Sequence, residues 1–354
     1  MQESVAVLSW PSVPIEIVRA AGLRPEIARA SAGPTPAADP HLESGVFPKR
    51  LQHLIDAALT ARLTHAACIV IPRTSDVDYK CFLYLREFAR RGMAPGLPPV
   101  ILFDLLQSPG ASVREYDVGR TQALYGQLAA VSGRIPSADD LVREITRANA
   151  ARAAARRLVA LRRGNPRATG TEVFPLLAAF WQMDPDRYVA MAIEAASDIA
   201  TRRPLTGPRV MLTGAPVESP VLHAAIESLG AIVTAEIGPW GNDATGEDVR
   251  VDNEPVAAIA DKYRVDTMGA RTPASTLAHW TERMLDEVDA VVVSLPPDDA
   301  VFGWDYPALR DRLDAKGIPH VCLRGDPNEP LSLTEHARLD AMVAQAARLE
   351  TRDG

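Results

Sequence analysis

The sequence predicts an α/β protein: two doubly wound parallel-sheet domains joined by a helical region. Three observations lead there. Apolar runs of roughly 4–8 residues alternate with helical patterns towards both ends of the chain. Those runs are nearly continuous, as expected for strands buried on both faces. Between them, residues 111–205 read as long helical patterns with no strand. A chain of 354 residues accommodates two or three domains, and the expected division is 1–110, 111–205 and 206–354.

The elements follow in order. Residues 5–10 form an apolar strand, followed by Pro11-Ser12-Val13-Pro14 and an amphipathic helix near 15–21 that Gly22 and Pro25 stop. Residues 31–45 are a polar, Pro-rich loop. A helix at 48–63, a strand at 66–71 bounded by Pro72, a helix near 77–91 and a strand at 100–103 complete a βαβαβ rhythm. In the helical stretch Ser137 is an N-cap with Asp139 and Asp140 in the first turn. Further helices fit 171–182 and 185–202. Pro204, Gly207 and Pro208 then break the pattern before a strand at 210–212. Ser219 and Pro220 suit the start of a helix that Gly230 ends. Strands at 231–237, 290–294 and 320–323 alternate with helices at 274–287 and 306–316. Ser332 and Glu335 have capping-box spacing for the last helix. The pattern is of the Rossmann/flavodoxin type.

Composition narrows the function classes. Apolar residues make up 47%, enough for packed cores. The net charge is 38 − 45 = −7, with no basic block of the kind that binds nucleic acid or an anionic membrane. The Arg-rich stretches 152–163 and 202–209 read as solvated helix faces and ends. No basic region precedes an apolar stretch at the N-terminus, and no apolar run approaches the ~20 residues of a membrane helix. Cys68, Cys81 and Cys322 are an odd set without short spacing, which argues against a disulfide framework and fits a reducing cytoplasm.

Ligands of open parallel sheets bind beyond the strands' carboxyl ends, which selects the loops 10–14, 72–76, 104–110, 213–219 and 294–303. No P-loop, dinucleotide fingerprint or nucleophile elbow is present. The histidines show no metal-ligand spacing. His223 reads as a surface or half-buried helix residue that has an alternative use facing a ligand. On the selected loops the candidate substrate-binding residues are Arg73, Ser75, Asp76, Gly214, Ala215 and Ser219. Ser75 and Ser219 stand at helix starts, where free N–H groups attract anions. Arg73 suits a thioester oxygen or a phosphate; its other reading is a surface residue paired with Asp76 or Asp78. No catalytic residue is identified.

Five phrases, in order, carry a resemblance: PSVPIEIVRAAGLRP (11–25), CIVIPRTSDVDYKCFLYLREF (68–88), the stretch from VSGRIPSADD to TEVF (131–174), RVMLTGAPVESPVLHAAIESLGAIVTAEI (209–237) and LDEVDAVVVSLPPDDAVFGWDYPALRDRLDAKGIPHVCLRGDP (285–327). Together they resemble the 2-hydroxyacyl-CoA dehydratase and benzoyl-CoA reductase subunit family, in the manner of the 2-hydroxyglutaryl-CoA dehydratase D-component. The resemblance implies a heterodimer of related subunits acting on an acyl-CoA thioester. It also implies a [4Fe-4S] cluster held by three cysteines, which receives one electron from an ATP-hydrolysing activator. The electron forms a ketyl radical that permits loss of a β-hydroxyl; in the benzoyl-CoA branch the ring is reduced instead.

At the ligand positions the chain departs from the family. The first falls near 46–48, at Phe47; the second at Ser75; the third near Asp298–Asp299, at Asp299. Iron–sulfur clusters need thiolate donors. Asp298 and Asp299 suit a hard cation, or are simply solvated. Cys68 and Cys322 lie in apolar strands, and Cys81 stands about two helical turns past Ser75, roughly 9 Å along the axis. The expectation is therefore no cofactor and no metal in this chain, with any cluster in a cysteine-complete related subunit, or a homodimer where no such subunit is present. Three readings stay open: a cluster-free partner with or without part of an acyl-CoA pocket; a repurposed binding or assembly protein; and a cluster-independent acyl-CoA enzyme using Arg73, Ser75 or Asp76.

Overall fold

A computed structural model describes residues 4–30, 33–240, 246–265, 269, 271–297, 299 and 301–353. It contains two four-stranded sheets, both entirely parallel. The first comprises β1 (Val5–Leu8), β2 (Arg24–Ile27), β3 (Ala66–Pro72) and β4 (Val100–Phe103), in the order β2-β1-β3-β4. Helices α1 (Ile15–Ala20), α2 (Lys49–Leu59) and α3 (Asp76–Arg90) connect them. The second comprises β5 (Arg209–Gly214), β6 (Ile232–Glu236), β7 (Ala290–Ser294) and β8 (His320–Leu323), in the order β6-β5-β7-β8. Both sheets start in the middle, place the next strand on one side and continue on the other. Each therefore has a switch point between its first and third strands, where helices leave in opposite directions and open a crevice.

Four helices fill the central stretch: α4 (Ala111–Ser132), α5 (Ala138–Ala160), α6 (Gly170–Ala179) and α7 (Pro185–Ala200). α7 stops at Ala200, and β5 begins at Arg209 after the Pro- and Gly-containing stretch. Further along come α8 (Val221–Glu227), α9 (Pro255–Tyr263), α10 (Ala274–Leu285), α11 (Tyr306–Lys316) and α12 (Leu333–Asp353). The chain forms two compact units. One holds the described residues up to Ala151, with Trp181–Pro185 and Gly246–Thr272; the other holds those of Arg152–Phe180, Asp186–Thr245 and Pro273–Gly354. The boundary falls within α5, so both units recruit helices from the central stretch.

In the first unit β1 and β3 bring Val5, Val7, Ile69 and Ile71 against Leu51, Leu54 and Ile55 of α2 and Cys81, Leu85 and Phe88 of α3. All are nearly or fully buried, and this apolar area is what holds the helices on the sheet. α9 joins the same unit by packing on α4, with a two-bond pair from Arg114 to Asp261 (2.7 and 2.9 Å) and Arg264 reaching Asp117 at 3.2 Å. Ser137 caps α5 as expected, accepting from the Asp140 N–H at 3.1 Å while the Asp140 carboxylate accepts from the Ser137 N–H at 3.0 Å.

Several expectations need correction. The reading around 15–25 missed β2, because Pro25 looked like a breaker. Arg24 and Ala28 donate their N–H groups to Ser4 and Leu8, so the missing donor of Pro25 falls on the outer side of an edge strand, where proline is tolerated. α9 was also missed, its nine residues giving too short a periodicity. Pro220, not Ser219, occupies the cap position of α8; the Ser219 hydroxyl is buried with no hydrogen-bond partner among the described residues. His223 is fully buried rather than half-exposed. Among the described residues, no helix is long and apolar enough to cross a membrane.

Candidate functional site

The switch point of the first sheet lies between the ends of β1 and β3, where the Ser9 N–H donates to Val70 at 3.0 Å. Arg50, on the first turn of α2, reaches this point. Its guanidinium lies 4.4 Å above the Trp10 ring, donates to the Ser9 carbonyl at 3.2 Å, and donates through both terminal nitrogens to Oδ1 of Asp78 at 3.2 and 3.1 Å. Asp78 is completely buried. Its second oxygen accepts from the Thr74 hydroxyl at 2.5 Å and the Ser75 hydroxyl at 2.8 Å. Ser75 in turn accepts from the Asp78 N–H at 3.0 Å and so caps α3. A buried carboxylate persists only where its acceptors are filled and its charge is paired, and both hold here.

The same loop is covered from within its own unit. The Arg271 N–H donates to the Thr74 carbonyl at 3.1 Å, and its guanidinium bonds the Asp104 carboxylate at 2.9 Å and the Arg73 and Leu105 carbonyls. A Cβ on Gly269 would lie 2.8 Å from the Thr74 Cβ, so the approach is possible only for glycine. Arg73 shares Asp104 at 3.4 Å, lies 3.9 Å from Asp76 and stacks over Tyr79. Of the two acids considered as its partners, Asp76 is the one within reach, and the Asp78 carboxylate is bonded by Arg50. Asp76 points to solvent.

In the second unit Gly214 and Ala215 serve the sheet. Gly214 has φ +99°, and a Cβ there would meet the Ser294 carbonyl at 2.3 Å; the Ala215 N–H donates to that carbonyl at 2.8 Å. The Glu218 N–H donates to Asn328. Asp299 accepts from the N–H groups of Val301, Phe302 and Gly303 at 3.3, 3.0 and 2.8 Å, which organises the short 3₁₀ turn Phe302–Trp304. Asp298 lies outside the described residues.

The three positions expected from the resemblance to hold cluster ligands carry side chains with other attachments. Phe47 is buried edge-on to Tyr84, with ring centroids 5.5 Å apart; Ser75 caps α3; Asp299 caps the 3₁₀ turn. The cysteines offer no replacement set. Cys68, Cys81 and Cys322 are all buried, and burial pushes the Cys68 thiol up to about 11 and raises the other two as well. A ligating cysteine must instead ionise readily and face an open position. The residues present do not fit a three-cysteine cluster. Among the described residues no group of three or more His, Cys, Asp or Glu side chains is arranged to hold a metal ion.

A second buried ionic cluster lies in the other unit, where His223 Nε2 contacts Glu236 at 2.8 Å and Arg162 lies 3.9 Å from the same oxygen. Burial pushes the Glu236 carboxyl up, but His223 and Arg162 outweigh it and hold it below the usual carboxylate range. Sequence reading missed Arg50, Asp78, Asp104 and Arg271. Ser75 and Asp78 do carry capping spacing, a usable signal. The Arg50–Asp78 pairing spans 28 residues and the Arg271–Asp104 pairing 167, and no local pattern marks either.

Comparison with known proteins gives one family match: residues 12–345 fit the model described as 2-hydroxyglutaryl-CoA dehydratase, D-component. No curated protein matches the chain.

Proposed function

The chain belongs to the 2-hydroxyglutaryl-CoA dehydratase D-component family, and from that premise we propose that it is the cluster-free partner in a 2-hydroxyacyl-CoA dehydratase-like or benzoyl-CoA reductase-like heterodimer. The observation that carries this reading is the set of attachments at Phe47, Ser75 and Asp299. A position that merely lost its cysteine would leave a loose or solvated loop. Here each replacement is tied into core or backbone. The redox step then belongs to a related subunit that keeps its cysteines. This chain contributes a folded surface to the pair and a share in holding the acyl-CoA thioester. Cluster-independent catalysis by Arg73, Ser75 or Asp76 is disfavoured, since Ser75 and Arg73 already have partners in their own unit and Asp76 stands in solvent.

Isolation of the chain from its native host, with light scattering and mass spectrometry of what accompanies it, tests the reading. A one-to-one complex with a cysteine-complete relative is expected. A monomer recovered with no related subunit contradicts it and favours a repurposed binding protein.

A further inference from the structure

Helix α3, in the first unit, carries large apolar side chains on the side that faces water. Its inner side is taken by Cys81, Leu85 and Phe88, which pack on the first sheet. Its outer side runs Asp76, Tyr79, Leu83 and Arg86, at spacings of three, four and three residues. That is the heptad spacing of a seam between two helices. The outer stripe of an ordinary sheet-covering helix is polar. Here Leu83 is 42% exposed, and Tyr79 and Phe82 beside it are half-buried.

The stripe is already ordered. The Tyr79 and Phe82 rings stack with centroids 6.3 Å apart. Arg73 lies 4.8 Å above Tyr79 and Arg86 lies 5.3 Å above Phe82, so two guanidinium groups bracket the rings. Side chains held in one arrangement before contact lose little rotamer freedom on association. Tyr and Arg are also the types enriched among residues that carry interface energy. The charges at the two ends are opposite. Asp76 stands on the first turn with its side chain 92% exposed, and the cation that meets it, Arg73 at 3.9 Å, is shared with Asp104. Arg86, about 15 Å further along the axis, forms no ion pair among the described residues. The last turn is closed within the helix by Arg90 and Glu87, through two bonds of 2.7 Å. Lys80, on the flank, is neutralised by Glu43 at 3.1 Å.

This pattern is the same in both directions. Reversed about residue 81, Asp76 falls on Arg86 and Tyr79 falls on Leu83. We propose that α3 pairs with the α3 of a second copy of this chain, antiparallel across a two-fold axis level with residue 81. Asp76 of each copy then meets Arg86 of the other, and Tyr79 meets Leu83. Both pairs occur twice, as an isologous contact requires. A parallel arrangement sets Asp76 beside Asp76 and Arg86 beside Arg86, and like charges disfavour it. A seam one helix long buries less than the roughly 1,600 Å² of a standard interface, so the dimer is a weak one that dissociates in the micromolar range. The inference goes beyond the cluster-free reading and does not depend on it, because the face lies within one unit of this chain.

Sedimentation equilibrium of the full chain, over a series from about 1 to about 200 µM, tests the pairing. The variants are Asp76→Arg, Arg86→Asp, the double reversal Asp76→Arg/Arg86→Asp, and Leu83→Glu. Wild type is expected to pass from monomer to dimer within the series. Each single reversal replaces two attractive contacts by two repulsive ones and should raise the dissociation constant about tenfold or more. The double reversal restores opposite charges and should return it to within about threefold of wild type. Leu83→Glu should stay monomeric throughout. Recovery in the double reversal shows that the loss in the single variants is not a loss of fold. An amine-reactive cross-link between the Lys80 side chains of two isotopically distinguished wild-type copies is also expected, since residue 80 lies one position from the axis. A wild-type monomer at every concentration overturns the proposal. A dimer that ignores the single reversals also overturns it and places the contact on another face. So does a double reversal that fails to restore pairing. In the complex isolated from the native host, Lys80 cross-links that run only to a different protein assign the face to that partner and overturn self-pairing. All of these failures leave the cluster-free reading, which co-isolation tests, standing.

Discussion

At the carboxyl edge of the first sheet Arg50 is answered by Asp78, and Arg73 and Arg271 by Asp104, while at that of the second sheet Arg324 and Arg338 form no ion pair among the described residues. The first edge is also covered by its own chain, through Arg271 and the close approach at Gly269. The difference teaches how one fold, used twice, can spend the same topological position on stability in one place and leave it open in another. Charges closed on each other inside a unit hold loops, whereas charges left open are available to a ligand.

The contrast is broken most severely at Asp78. Asp78→Ala removes the buried carboxylate that Arg50 meets, and removal of one member of such a pair typically costs about 3–5 kcal/mol. Urea unfolding should register a loss of that size; a loss under about 1 kcal/mol would mean that Arg50 escapes to solvent. Acid unfolding probes the second unit's closed cluster. Glu236 binds its proton more weakly folded than unfolded. Its contribution to stability is therefore complete above the usual carboxylate pKa of about 4.3, and is lost as pH falls through and below that range. His223→Gln, which removes the nearest stabilising partner, should move acid unfolding to higher pH. An unchanged acid midpoint would contradict the pairing.

Gly214→Ala comes next. At φ +99°, with the Ser294 carbonyl 2.3 Å from the new Cβ, the backbone strain alone should cost roughly 1–3 kcal/mol. Ser75→Ala removes a cap and one acceptor bond of α3, worth about 1 kcal/mol. Arg324→Ala and Arg338→Ala, on the open edge, should change stability by less than about 0.5 kcal/mol. A large loss there would show that the two edges are not different in kind.

Much of this architecture was legible in the sequence. Continuous apolar runs such as 66–71 and 290–294 marked both parallel sheets, and the stretch at 204–208 marked the start of the second. β2 was not legible because an edge strand tolerates a proline that a central strand would refuse. The candidate site was legible only in its loops. Ser75 was singled out for free N–H groups, yet it fills one of them with its own hydroxyl. Arg73 was singled out as an anion ligand, yet it spends its charge on Asp104. Which arginine meets which carboxylate depends on strands and helices brought together across tens to hundreds of residues, and that information appears only once the chain is folded.

The central claim, that this chain's own residues hold no iron–sulfur cluster, is tested most directly by anaerobic reconstitution of the purified protein with iron and sulfide. Assay of both elements should follow, on wild type and on Phe47→Cys/Ser75→Cys/Asp299→Cys. Wild type is expected to retain no iron above background. About four irons per chain in wild type, with the charge-transfer absorption of a thiolate-bound cluster, would contradict the claim and assign ligation to cysteines that the structure places in its cores.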